Sequence, residues 1–283
     1  MKAMAHGERF LLAGVIGWPV MHSKSPMLHN YWLRERGLAG TYIPLEIAPE
    51  GLAKALKSLH PLGFAGCNLT IPHKQAALAI VDEIDPLART MGAISCVVVR
   101  PDGSLFGANN DCYGFIENIV EGAPQTRFEA GPAVVLGAGG GARAVAWGLA
   151  QRGVPEIRLI NRTRARAEEI AREFGAPVKA VDWSERNGAL EGCALLVNTT
   201  SQGMVGMEPL DIDLSKLPRT ALVTDIVYAP LETPLLKAAK AHGNPTVDGL
   251  GMLLHQARPA WQAWFNIDPK VTPELRRMIE ATL

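Results

Sequence analysis

The run Gly137-Ala138-Gly139-Gly140-Gly141-Ala142 places glycine where a backbone must turn tightly and pass close to an anion. It follows the apolar stretch Ala133 to Leu136 and opens a helix-like segment, which is the context a dinucleotide fingerprint requires. Gly137 permits the turn, Gly139 admits a pyrophosphate to the backbone, and Ala142 is small enough for the helix to pack on its strand. Ala138, Gly140 and Gly141, within the same run, count with them as cofactor-binding residues. About 20 residues further on, an acidic side chain would accept the ribose hydroxyls of NAD. Here that strand ends in Asn161-Arg162-Thr163, with Arg164 and Arg166 close behind and no carboxylate before Glu168. Guanidinium groups grip a phosphate through paired N–H donors and stack on adenine, so the expected cofactor is NADP. Arg164 reads as solvated helix face, which leaves Arg162 and Arg166 for the phosphate.

A second set of reactive side chains lies upstream. In "NLTIPHKQAALAI" a strand-like run ends at Thr70, and Lys74 falls in the first turn of the helix expected over residues 73–84. Partial positive charge at a helix start, and desolvation in a cleft, both favour loss of the ammonium proton, so Lys74 is placed to give and recover one. The competing reading is an ordinary solvated lysine. Asp111, in "GANNDCYGF", either orients Lys74 or caps a helix beginning near Tyr113. Ser23, Lys24 and Ser25 precede Pro26. Ser25 suits a helix start, whereas Ser23 has no such local role, and no glycine elbow supports a Ser-Lys nucleophile. The cysteines, Cys67, Cys96, Cys112 and Cys193, are far apart and the histidines scattered, so no metal site is expected.

These residues need a scaffold, and the chain supplies an alternating one. Apolar runs of strand length ("LLAGVIG", "TYIPLEI", "AVVL", "EIRLINRT", "CALLVNTT", "ALVTDIVY") alternate with helix-like segments, the pattern of an α/β fold on mainly parallel sheets. "EGAPQTRFEAGP" reads as a loop at a domain edge, and "GLGMLLHQARPAWQAWF" as a helix that Pro259 should kink or divide. The length of 283 residues, about half of them apolar, suffices for one large or two medium domains. Lys plus Arg and Asp plus Glu each number 28, so no overall field points to nucleic acid or an anionic membrane. Met1 to Arg9 hold no apolar leader, no run approaches a membrane span, and unpaired cysteines suit a reducing compartment, so a cytoplasmic protein is expected.

"GWPVMHSKSPMLHN", "NLTIPHK", "GAGGGAR", "INRTRARAEE", "DIVYAPLETPLL" and "DGLGMLLHQA", in this order and spacing, resemble the shikimate dehydrogenase family over nearly the whole chain. The resemblance implies a substrate-binding domain (1–113 with 249–283) and a Rossmann-like NADP domain (114–248), the last helices returning to the first. It implies reversible NADPH-dependent reduction of 3-dehydroshikimate to shikimate, on the route to chorismate and the aromatic amino acids, in a monomer or homodimer. Lys74 and Asp111 match the catalytic pair. Ser23, Ser25 and Tyr228 match groups on the substrate carboxylate, Thr70 and Gln256 match residues around the ring hydroxyls, and Gly251 matches a position near the nicotinamide. Two stretches depart from the family pattern. Where the family usually has Asn-Thr, with the Asn a substrate ligand, this chain has Ser95-Cys96, so that Ser95, shorter but still a hydroxyl, is the substrate-binding residue expected there, and "NNDC" replaces the usual "NTDG" around Asp111. Ser95 and Cys112 leave open a relative acting on quinate, an aminoshikimate or a similar ring acid; a non-catalytic NADP sensor is a separate alternative, against which the retention of Lys74 and Asp111 argues.

Overall fold

The computed structural model describes residues 10–283; the leaderless reading of residues 1–9 lies outside them. Two compact units divide the chain. One comprises the chain up to Asn110 with Gln256–Ala281, the other Asp111–His255 with Thr282–Leu283.

The first unit runs β1 (Leu11–Gly17), α1 (Ser25–Glu35), β2 (Gly40–Glu46), α2 (Leu52–Ser58), β3 (Gly66–Leu69), α3 (His73–Ala76), β4 (Glu83–Ile84), α4 (Pro86–Met91), β5 (Cys96–Val99) and β6 (Leu105–Ala108). Its sheet has the order β2-β1-β3-β5-β6-β4. β5 alone runs against its neighbours, because the Asp102-Gly103 turn folds it back on β6. Gly103 takes φ +86°, and Asp102 accepts both the N–H and the hydroxyl of Ser104, the turn chemistry expected of Pro-Asp-Gly.

The helix expected over residues 73–84 does not form. α3 is one turn, a 3-10 turn follows at Ala77–Ala79, and Glu83–Ile84 pairs with β6 instead. Asp82 decides this: its carboxylate accepts the N–H of Leu105 at 2.7 Å, which makes an edge strand outweigh helix propensity. Lys74 therefore stands on a single turn that carries little helix dipole. α4, which the sequence reading passed over, has its signals in place. Asp85 caps the Ala88 N–H, Pro86 takes the first turn, and Gly92 closes the helix with φ +61°.

The second unit runs α5 (Asp111–Gly122), β7 (Ala133–Leu136), α6 (Gly140–Gln151), β8 (Ile157–Ile160), α7 (Arg164–Phe174), β9 (Val178–Val181), β10 (Leu195–Asn198), β11 (Leu222–Asp225), α8 (Pro234–His242) and β12 (Thr246–Val247). Its parallel sheet, β9-β8-β7-β10-β11-β12, is the doubly wound order 3-2-1-4-5-6. Both faces are covered. Val135 packs with Phe115, Val145 and Leu149, while Val134 and Leu136 pack with Leu196, Val223 and Leu236, which is why these strands read as unbroken apolar runs. β9 and β12 escaped the sequence reading because they are short and continue the sheet at its edges.

α9 (Leu250–Phe265) and α10 (Pro273–Glu280) complete the chain. Pro259 does not divide α9. Ala257, Ala260, Trp261 and Trp264 around it are buried, and Trp264 donates its indole N–H to the Val97 carbonyl at 2.9 Å. That packing outweighs one lost backbone hydrogen bond. Among the described residues no helix is long and apolar enough to cross a membrane, and no cluster of His, Cys, Asp and Glu could hold a metal ion.

Candidate active site

In the first unit the candidate residues gather where parallel strands end. The Thr70 N–H bonds the Ile16 carbonyl, and the Leu69 N–H bonds the Ser95 carbonyl. The Ser95 N–H bonds Ala108, and the Ile94 N–H bonds the Lys74 carbonyl at 2.8 Å. Thr70, Lys74, Ser95 and the end of β6 thus share one edge of the sheet, the place where open α/β sheets bind ligands. Thr70 and Lys74 are half-buried, and Ser95 is buried with its Oγ accepting the Asn110 N–H at 2.8 Å.

A buried aromatic stack supports this edge. Trp261 donates to His29 Nδ1 at 2.6 Å, and His29 lies flat on Tyr42 with ring centroids 3.9 Å apart. Burial pushes His29 down to about 3, so the ring stays neutral and can accept. Tyr42 donates to Asn68, and Asn68 donates to the Ser95 carbonyl at 3.1 Å. Asn68 was missed in the sequence, although one buried amide in the apolar strand "GCNL" is itself a signal.

The serine pair divides its work differently from the sequence expectation. Ser23 does have a local role, since its Oγ accepts the Ser25 N–H at 3.3 Å at the start of α1. Ser25 is buried in the first turn, and Lys24, at the cap position, makes no side-chain cap. Asp111 is the first residue of α5, not a cap for a helix starting at Tyr113, and it is buried. Its negative charge suits the N-terminus of a 12-residue helix.

The departures from the family pattern separate here. Cys96 lies in the core with Ala13, Val15 and Tyr42, and burial carries its thiol up to about 12. Cys112 faces α6, where a Cβ on Gly148 would approach its Sγ to 3.0 Å, and burial with the Asp111 charge lifts it to about 11. Both are packing residues. Neither thiol reaches the nucleophilic thiolate range.

The second unit carries the glycine turn at its switch point. Gly137 has φ +111°, and a Cβ there would meet Thr199 Oγ1 at 2.5 Å, so glycine is required twice over. Ala138 is half-buried. A Cβ on Gly139 or Gly140 would meet nothing within 4 Å, and α6 opens at Gly140 with no side chain capping its first N–H groups. Bare, outward-facing amides at the start of a 12-residue helix fit a pyrophosphate. Gly141 and Ala142 face inward, against Ile226 and the core. Asn161 is held by its side-chain bond to the Thr163 carbonyl. Arg164 is engaged by Glu168 and Asp182, as a solvated helix face would be. Arg162, Thr163 and Arg166 are exposed beside it, and neither guanidinium has an ion-pair partner among the described residues.

Two more predicted residues sit on firm supports in this unit. Tyr228 follows Asp225, whose carboxylate accepts from Asn198, Thr233 and the Val227 N–H. Burial raises the Tyr228 phenol. Gly251 has no room for a side chain, because a Cβ would overlap the Asn118 amide that bonds the Asp248 carbonyl. Gln256 stands on α9, half-buried, at the first position of the segment that belongs to the first unit.

A 3-2-1-4-5-6 sheet with a glycine turn at its switch point, in one chain with an α/β unit presenting a lysine and hydroxyls, is the construction of a dinucleotide-dependent oxidoreductase. Residues 15–97 match the shikimate dehydrogenase substrate binding domain, and residues 122–227 match shikimate / quinate 5-dehydrogenase. The shikimate dehydrogenase (NADP(+)) of Paramagnetospirillum magneticum is 56% identical over 268 residues, 95% of this chain and 97% of that protein. The structure of Thermus thermophilus shikimate 5-dehydrogenase with NADP(H) and shikimate superposes with a TM-score of 0.86 at 37% identity, covering 96% and 99% of the two chains. Corynebacterium glutamicum quinate dehydrogenase with NAD gives 0.89 at 32% identity, covering 97% and 99%. The chain belongs to the shikimate dehydrogenase family.

Proposed function

We propose that this protein catalyses the reversible NADPH-dependent reduction of 3-dehydroshikimate to shikimate, a step of chorismate and aromatic amino acid biosynthesis. What carries the reading is the gathering of Thr70, Lys74, Ser95 and the strand leading to Asp111 at one sheet edge, in a chain 56% identical to an NADP-dependent shikimate dehydrogenase. Bound NADPH supplies a hydride to the ring ketone. The amides of Gly139 to Gly141 hold the pyrophosphate, and Arg162 and Arg166, with Asn161 and Thr163 beside them, hold the 2′-phosphate. Lys74 donates a proton to the alkoxide developing on the substrate, and Asp111 keeps that lysine oriented and charged. Ser23, Ser25 and Tyr228 bind the carboxylate, Thr70 and Gln256 the ring hydroxyls, and Gly251 borders the nicotinamide. The substrate unit is the one that runs to Asn110 and takes up Gln256–Ala281, and the nucleotide unit is Asp111–His255, a few residues from the boundaries expected at 113 and 249. The enzyme acts in the cytoplasm as a monomer or homodimer.

Turnover followed by nicotinamide absorbance, with shikimate or quinate and NADP+ or NAD+, tests this. Preference for shikimate with NADP+ is expected. Preference for quinate would move the protein to the neighbouring activity, and tight NADP+ binding without turnover would make it a sensor.

A further inference from the structure

Among the described residues, four buried side-chain atoms lack a hydrogen-bond partner, and one of them, Asn110 Nδ2, lies at the sheet edge described above. Asn110 is 7% exposed. An amide left unpaired in the interior has lost its bonds to water without replacement, so its retention asks for a reason. The backbone around it is tightly held. The Asn110 N–H is bound by Ser95 Oγ, Asn109 donates to the Ala93 carbonyl at 2.9 Å, and α5 starts at the next residue. The nearby Cys96 sulphur does not relieve the amide. A loose side-chain contact from Asn110 to that sulphur pulls the thiol down, but burial outweighs it and keeps the thiol protonated, and a protonated thiol is too weak an acceptor to satisfy the amide.

The two polar departures from the family pattern are reciprocal and in contact. An amide is missing at position 95, an amide is gained at position 110, and the two residues are joined by a 2.8 Å hydrogen bond. We propose that Asn110 uses its free side-chain amide to bind a ring hydroxyl of the substrate, the work otherwise expected of an amide at position 95, with Ser95 acting as its positioning residue. This rests on the function proposed above and names a specificity determinant for it. Ser95 Oγ gives one lone pair to the Asn110 main-chain N–H, which fixes where the amide stands.

The test is a double-mutant cycle read with shikimate and NADP+. Asn110→Thr should raise KM for shikimate about 10- to 100-fold while KM for NADP+ stays unchanged. Ser95→Asn alone should bring no improvement, whereas Ser95→Asn in the Asn110→Thr background should restore most of the lost affinity. An unchanged KM in Asn110→Thr overturns the proposal, and so does a double variant no better than Asn110→Thr. Should Asn110→Thr not fold, a structure of the wild-type protein with shikimate decides. A ring oxygen within about 3.2 Å of Nδ2 is expected, and none in reach overturns the assignment. Wild-type turnover of shikimate is measured first. Its absence would remove the proposed function, while turnover with an indifferent Asn110 would remove only this inference.

Discussion

The sheets of the two units end in opposite kinds of surface. The second ends in backbone: a glycine turn, a helix opening without a capping side chain, and space where Cβ atoms would stand. The first ends in side chains from β3, the turn after it, the start of β5 and the end of β6, tied edge to edge by main-chain hydrogen bonds. Their buried polar groups differ in the same way. Asp225 is closed on itself by Asn198, Thr233 and the Val227 N–H, whereas Asn110 keeps a free donor. A closed network holds a loop in place; an open one is a place for a ligand.

The largest expected effect falls on the open side. Lys74→Ala should lower kcat by about 10²- to 10⁴-fold with a much smaller change in KM for shikimate, as the proton transfer proposed for the lysine requires. Steady-state kinetics check this, and an unaltered kcat would take Lys74 out of the reaction.

The closed side should instead show itself in stability. Burial raises Asp225 to about 6 against its hydrogen bonds, from an ordinary value of 3.8. A carboxyl raised in the folded state contributes stability that is full below pH 3.8 and is lost as pH rises through about 6. Asp225→Asn should therefore lose more stability relative to wild type at acid pH than at pH above 6, the gap narrowing by about 3 kcal/mol. Urea unfolding of both proteins across this range reads the difference, and a constant gap would mean that Asp225 does not titrate there.

A smaller effect probes the cofactor end. Replacing Arg162 and Arg166 together by alanine should raise KM for NADP+ about 10- to 100-fold and leave KM for NAD+ nearly unchanged. Equal losses for both cofactors would mean that these guanidiniums do not read the 2′-phosphate.

Legibility follows the same division. The glycine turn could be read because its function resides in residue type and spacing along one short stretch, as could the alternation of strands and helices. The helix expected over residues 73–84 failed because a pairing between Glu83–Ile84 and β6, distant in sequence, overrode local propensity. The roles given to Ser23 and Ser25 shifted because capping depends on backbone angles that neither residue reveals by its type. Asn68 was missed because its partners, Tyr42 and Ser95, lie 26 and 27 residues away.

By itself, then, the sequence determined the α/β class, the glycine turn after β7, the arginines beyond β8 and the types of side chain available for proton transfer. Composition and local spacing suffice for these, since each is a property of one contiguous segment. Only the tertiary structure decided that Cys96 and Cys112 are packing residues, that Ser95 Oγ accepts the Asn110 main-chain N–H, and that the Asn110 amide stays unpaired. Such facts belong to pairs of residues brought together by the sheet, and hydrogen-bond satisfaction is a property of the pair.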